Sequence, residues 1–229
     1  MRASCDVRHI DGETFSALLF QGRLNLMTPL TATAEAPSLS PTIEERAVRA
    51  TLACIARHGL AKTTFDDVAR EAGCARATLY RYFGGKRQLV RITIVREAAR
   101  LAASVRDAGD AESTFEDAVV AMVVRSAQEL RDHEALQFLF AFEPELVLPH
   151  VTFDAGNRFL VGAGSAIAPA LARFLPATRT DRAGEWLARV VLTHALSPTR
   201  PIDLTDEAAA RALVRELVLP GLLGPEPVT

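Results

Sequence analysis

Between Gly73 and Arg87 the chain reads GCARATLYRYFGGKR: four basic residues and no acidic one, with two tyrosines, a phenylalanine and a threonine between them. Residues of these types can recognise an ordered polyanion. Arginine forks onto a guanine edge, while lysine, threonine and tyrosine reach phosphate oxygens. Leu79 and Phe83 are four apart and share one helix face, so they turn back into a small core. Arg76, Thr78, Tyr80 and Tyr82 then fall on the other surfaces. Arg81 reads as a solvated or phosphate-facing residue, and Arg87 as solvated.

Catalytic chemistry finds no comparable set. GAGSA at 162–166 matches neither GxGxxG nor GxSxG and reads as a place where helices approach closely. His133, His150 and His194 stand apart with no HxxxH pairing, and His58 lies beside a helix end where it can cap carbonyls. Glu143 and Glu145 flank Pro144 in FEPEL, which reads as a helix break. Three cysteines, Cys5, Cys54 and Cys74, with no CxxC spacing argue against a disulfide framework or a zinc site. Cys54 and Cys74 read as small packed hydrophobes. No enzyme, metal or cofactor is expected.

The overall charge of −2 suggests no polyanion partner, but it hides an asymmetry. Residues 41–89 carry nine Lys+Arg against five Asp+Glu, whereas 90–229 carry fourteen against nineteen. A locally basic segment joined to an acidic body is a nucleic-acid cue. No apolar run approaches the ~18 residues of a membrane span. The amino terminus lacks the basic start and long apolar core of a signal peptide, so a cytoplasmic protein is expected.

The elements that must position the basic stretch are helices. Residues 1–40 show no clean periodicity and end in the Thr-, Ser- and Pro-rich TPLTATAEAPSLSP, which reads as an arm. Translation from Met27 and a genuine arm from Met1 are both open. Helix one starts with Ser40 capping Pro41, or with Thr42 and Glu45 as a capping box, and Gly59 is a plausible end. Thr64 opens helix two, which Gly73 breaks. Helix three spans about 75–82. Lys86 opens helix four, to about Val105. Further helices are expected at 113–132, 134–143, 153–174, 180–196 and 205–219, with Pro144, Pro149, Pro198 and Pro201 between them. The fold class is all-α: an amino-terminal helix-turn-helix domain over 41–89 and a helical body over 90–229. Helix, short glycine turn and short helix form the spacing in which the second helix enters the major groove.

At TTFDDVAREAGCARATLYRYFGGKRQLV, residues 63–90, the chain resembles the DNA-binding motif of the TetR family of transcriptional regulators. Thr64, DDVAREAG, TLYRYF, then Lys86 and Leu89 after two glycines occur in the family's order. The resemblance covers about 41–105 and implies a ligand-responsive repressor with a larger ligand-binding, dimerising domain. It implies that Thr64 and Lys86 meet phosphates, that Arg76 and Ala77 read bases, and that Thr78, Tyr80 and Tyr82 hold backbone or base edges. One departure is Ala75, where the family usually has a serine or threonine cap; losing a cap costs ~1 kcal/mol. A helical small-molecule-binding protein without DNA binding is the rival reading.

Apolar runs such as VVAMVV, LQFLFAF and FLVGAG can line a pocket or form plain core. Met122, Phe138, Phe142 and Phe159 are the candidate contacts for a small apolar effector. Homodimerisation is expected through 180–196 and 205–219. The stripes there are Trp186, Leu187, Val190, Val191 and His194, and Ala209, Leu213, Leu217 and Val218, each residue equally fit for intramolecular core.

Overall fold

The computed structural model describes the backbone of residues 41–151, 153–197 and 202–223, and the side chains of all these except 149–157 and 223. The amino-terminal arm with Met27 and Cys5, Pro198, Pro201 and the His150 side chain lie outside them. Helices α1 (Ile43–Lys62), α2 (Phe65–Glu71), α3 (Arg76–Phe83) and α4 (Lys86–Asp110) come first. Then follow α5 (Phe115–Asp132), α6 (Glu134–Phe142), α7 (Pro144–Val151), α8 (Phe153–Ile167) with a 3-10 turn (Ala168–Leu171), and α9 (Ala177–Leu196). Last come α10 (Glu207–Leu213), a π turn (Val214–Val218) and α11 (Leu219–Leu223). No strand occurs among the described residues. None of their helices is long and apolar enough to cross a membrane.

Two alternatives for the start of α1 resolve in favour of Thr42. Its hydroxyl accepts from the Glu45 N–H at 3.2 Å, and the Glu45 carboxylate accepts from the Thr42 N–H at 2.8 Å. Pro41 precedes the helix rather than opening it. The Thr42 hydrogen bonds hold the Glu45 carboxyl below the usual carboxylate range. Gly59 breaks α1 at φ 80° and ψ 166°, but the helix resumes for one more turn to Lys62. Helix α4 also outruns expectation. It passes Val105 and ends at Asp110, crossing residue 90 without interruption.

Three apolar clusters organise the described residues. The first joins α1 to α4 around Ala47, Cys54, Phe65, Val68, Leu79, Phe83 and Leu89. A second fills the carboxy-terminal body around Val119, Met122, Leu171, Leu187, Leu213 and Val218. A small third cluster lies where the two halves meet: Ile55, Leu60, Val90 and Ala135, with Leu139 and Leu146 packed against them. The two halves therefore share buried apolar surface, the dominant favourable term in such packing.

The body is closed by a glycine contact. A β-carbon at Gly164 on α8 would lie 2.3 Å from the Glu185 backbone nitrogen, and one at Gly184 on α9 would lie 2.3 Å from the Gly164 carbonyl oxygen. The close approach expected of GAGSA is thus backbone against backbone. An ion-pair group ties α10 to the start of α5: Arg211 meets Asp117 at 2.6 Å and Glu116 at 3.1 Å. His133 is not isolated. Its Nδ1 accepts from the Leu136 N–H at 3.2 Å, capping α6, and its Nε2 lies 3.2 Å from Glu97. The His133 hydrogen bond, followed by Arg100, holds the Glu97 carboxyl down at about 2 despite burial.

Candidate nucleic-acid interface

Helix α3 carries the candidate surface, and its sequence explains its orientation. Leu79 and Phe83 are 0% and 3% exposed, so the face they share is spent on the core. Arg76, Ala77, Tyr80, Arg81 and Tyr82 are exposed, with Tyr80 at 46% and Tyr82 at 54%, and Thr78 is half-buried. Gly84 ends the helix in the left-handed region at φ 70°, with its N–H donating to the Tyr80 carbonyl. At the other end Ala75 supplies no side-chain cap. The bonds of the first turn run to its backbone carbonyl, from the Thr78 N–H at 2.9 Å and the Leu79 N–H at 3.3 Å.

Arg76 is held from two sides. Its guanidinium meets Asp66 at 2.8 Å and lies 5.4 Å above the Tyr80 ring. Tyr80 in turn packs edge-on against the buried Phe65, with centroids 4.7 Å apart. Both partners of the ion pair are about half exposed, and such pairs contribute little in water. A guanine edge offering two acceptors can therefore displace Asp66 without a large penalty.

Thr64 is already employed. Its hydroxyl caps α2 by accepting from the Asp67 N–H at 3.1 Å, while the Asp67 carboxylate accepts from the Thr64 N–H at 3.0 Å and the hydroxyl at 2.5 Å. These bonds hold the Asp67 carboxyl below its usual range. A phosphate reaching Thr64 competes with that capping box for the hydroxyl proton. Lys86, half-buried at the start of α4, donates from Nζ to the Leu60 carbonyl at 2.9 Å. Burial pushes its ammonium below the usual lysine range, against the opposing charge of Glu143. An ammonium has three N–H donors, so two remain for a phosphate.

Two further residues shape the candidate interface in roles that the sequence did not signal. Arg46 on α1 donates from Nε to the Ala72 carbonyl at 2.9 Å and from Nη2 to the Gly73 carbonyl at 2.7 Å. It caps the carboxy end of α2 and fixes the turn into α3. Gly73 sits there at φ 62°, and a β-carbon on it would lie 3.3 Å from the guanidinium. The second is Glu143, whose buried carboxylate accepts from the Leu60 N–H at 2.7 Å. Capping partners distant in sequence leave no period or motif to read. The FEPEL break is real, but Pro144 opens α7 instead of a loop. Proline suits a first helical position.

The candidate effector residues sit in different surroundings. Met122 is 1% exposed in the body's core, so close to Gly109 that a β-carbon there would lie 2.8 Å from its Sδ. The Phe138 and Phe142 rings lie 4.8 Å apart, tilted by 48°, with Phe138 half-buried and Phe142 71% exposed. Phe159 is half-buried on α8. The expected dimer stripes divide too. Leu187, Val191, Leu213 and Val218 belong to the intramolecular core. Trp186 and Leu217 remain 46% and 66% exposed.

Comparison with known proteins agrees with this geometry. The family model for bacterial regulatory proteins of the tetR family matches residues 47–91. The HTH-type transcriptional regulator BetI of Agrobacterium fabrum is 33% identical over 198 residues, covering 78% of this chain and 87% of that protein. An HTH-type transcriptional regulator of Mycobacterium tuberculosis is 28% identical over 162 residues, 68% of this chain and 73% of its own. In fold, the chain is similar to the TetR family repressor AlkX from a Dietzia strain, with TM-score 0.59, 21% identity, and coverage of 82% of this chain and 98% of that one.

Proposed function

We propose, from the premise that this chain belongs to the tetR family of bacterial regulatory proteins and is a DNA-binding transcriptional regulator, that it is a homodimeric repressor which releases its operator on binding a small apolar molecule. The observation that carries the DNA reading is the division of α3: Leu79 and Phe83 are buried in the core, while Arg76, Tyr80 and Tyr82 are exposed on its other surfaces. In this reading α3 enters the major groove. Arg76 and Ala77 meet base edges, and Thr78, Tyr80 and Tyr82 hold backbone or base edges. Thr64 and Lys86, each at a helix start, take phosphates, where free N–H groups add to the attraction.

Two copies are needed because half-sites repeat every ~34–36 Å or a multiple. Trp186 on α9 and Leu217 in the π turn support a joint between copies, being the large apolar side chains left exposed on those segments. Gly221 lies one turn beyond Leu217, and a β-carbon on it would be 3.7 Å from Trp186 Nε1, so both segments contribute to one face. The effector reading is supported by the apolar α5, α6 and α8, with Met122, Phe138, Phe142 and Phe159 as the residues to vary. Full release demands a large preference for the DNA-incompetent state, ~10⁴-fold to move from 1:99 to 99:1. A regulator of this kind works in the cytoplasm.

The experiment is fluorescence anisotropy with DNA from upstream of the protein's own gene, alongside light scattering. Tight binding to that DNA over random duplex, by a dimer that Leu217→Glu converts to monomer, agrees with the reading. A wild-type monomer at micromolar concentration overturns the dimer. Apolar compounds that raise the melting temperature without changing DNA affinity overturn the switch.

A further inference from the structure

The carboxylate of Glu143 lies 83 residues from Leu60 in sequence yet is bonded to it. At the corner between α6 and α7, Glu143 has its N–H, its carbonyl and its carboxylate all bonded. The Glu143 N–H donates to the Leu139 carbonyl at 3.0 Å, and its carbonyl accepts from the Leu146 N–H at 3.0 Å. Its side chain, in a residue only 8% exposed, accepts from the Leu60 N–H at 2.7 Å and the Ala61 N–H at 3.2 Å. These N–H groups are orphans of the kind every helix start creates. Gly59 interrupts α1, so the turn that resumes at Leu60 has a buried start and no cap of its own. Glu143 supplies that cap from the other half of the molecule. Only glycine suits position 59: besides the positive φ, a β-carbon there would lie 2.4 Å from Glu143 Oε1 and 2.7 Å from Phe138 Cε1.

The same residue that Glu143 holds by its N–H is held by its carbonyl to Lys86, at 2.9 Å. Leu60 thus joins the α6–α7 corner to the first residue of α4. Apolar contact reinforces the join, since Leu139 and Leu146 pack against Ile55, Leu60 and Val90. The charge of Glu143 also favours the ammonium form of Lys86 against its partial burial.

We propose that Glu143 is a positioning residue for DNA binding: by capping the Gly59–Ala61 corner it sets the Leu60 carbonyl, and through it orients the Lys86 ammonium for a backbone phosphate. This rests on the reading of Lys86 as a phosphate contact. Its consequence is that a displacement of α6 and α7 sufficient to withdraw the carboxylate loosens a DNA contact directly. Phe138, which shares the cover over Gly59, is the α6 side chain through which an occupant of the body would act on it.

The test is a double-variant cycle read in DNA affinity. Operator binding is measured by anisotropy at several salt concentrations for wild type, Lys86→Ala, Glu143→Ala, Glu143→Gln, and the doubles of each Glu143 change with Lys86→Ala. Circular dichroism and light scattering confirm folded dimers. Lys86→Ala is expected to lower the slope of log affinity against log salt by about 1 per subunit. Glu143→Ala should weaken operator binding about threefold or more at low salt, and add nothing in the Lys86→Ala background. Glu143→Gln, which keeps an acceptor for the Leu60 N–H, should recover part of the loss. If the Ala variant does not fold, the Gln cycle carries the same comparison. Equal losses from the Glu143 changes with and without Lys86 would overturn the inference, because a purely structural cap acts in both backgrounds. Unchanged affinity in both Glu143 variants would overturn it too. A silent Lys86→Ala overturns this inference together with the phosphate role of Lys86. An active Lys86→Ala with additive Glu143 losses overturns this inference alone.

Discussion

Arg46→Ala should unlock the turn that leads into α3. The guanidinium bonds two carbonyls that end α2, Ala72 at 2.9 Å and Gly73 at 2.7 Å, with Nη2 also reaching Ala72. A hydrogen bond from a charged donor is worth ~1.5–3 kcal/mol when its partner stays buried. The Ala72 bonds are partly buried and the Gly73 bond is exposed, so water recovers much of the second. The expected loss is therefore about 2–4 kcal/mol rather than the full sum, helped by the cation's place at a helix carboxy end. Arg46→Lys, which offers a single point of charge, should lose about half as much. Urea unfolding gives the stability, and amide hydrogen exchange over residues 72–79 locates it. Operator affinity should fall with the exchange protection. Arg46→Ala within ~0.5 kcal/mol of wild type, with exchange unchanged at those amides, would refute the capping role.

Glu97→Gln should destabilise the protein by about 3 kcal/mol at most near neutral pH, because its carboxyl sits at about 2 against an ordinary 4.5. The folded value is depressed, so the stabilisation is fully present above the unfolded value of 4.5 and is lost as pH falls toward 2. Unfolding free energies of the two proteins should converge over that window, and a pH-independent gap would contradict the His133 and Arg100 contacts as its cause. Gly164→Ala should cost at least ~2 kcal/mol, since its β-carbon meets backbone that cannot rotate away. Gly162→Ala on the same helix meets nothing within 4 Å and should be neutral or stabilising by ~0.5–1 kcal/mol in the same melts.

The parts of the fold that were legible are those whose cause is local. Thr64 with Asp67, the glycine at 73, and the four-residue spacing of Leu79 and Phe83 each carry their own geometry, and the helix-turn-helix follows from them. The start of α1 was legible only as a choice, which the Thr42–Glu45 pair wins through two reciprocal bonds. Misreadings cluster where distant residues decide. Gly59 reads as an end because the sequence gives no hint that Glu143 waits to cap a further turn. Glu143 reads as a helix-break marker because its partner lies in another helix. His133 reads as isolated because Glu97 comes from α4. In the dimer stripes, helical periodicity groups Trp186 with Leu187 and Leu217 with Val218. Core contact then claims Leu187 and Val218 and leaves the other two outside. At the candidate interface, residue types indicated what Arg76 and Lys86 can bond, but not that Asp66 and Leu60 already hold them.

The central claim is that α3 reads bases through Arg76, and one measurement addresses it: the affinities of wild type and Arg76→Ala for the operator and each of its single-base variants at fixed salt. One base pair per half-site should discriminate by ~5- to 150-fold with the wild type, the worth of a bidentate contact to guanine, and lose that discrimination in Arg76→Ala while the other positions keep theirs. An Arg76→Ala protein that weakens equally on every variant would show that Arg76 only neutralises phosphate, and the account of α3 as a base-reading helix through that residue would be wrong.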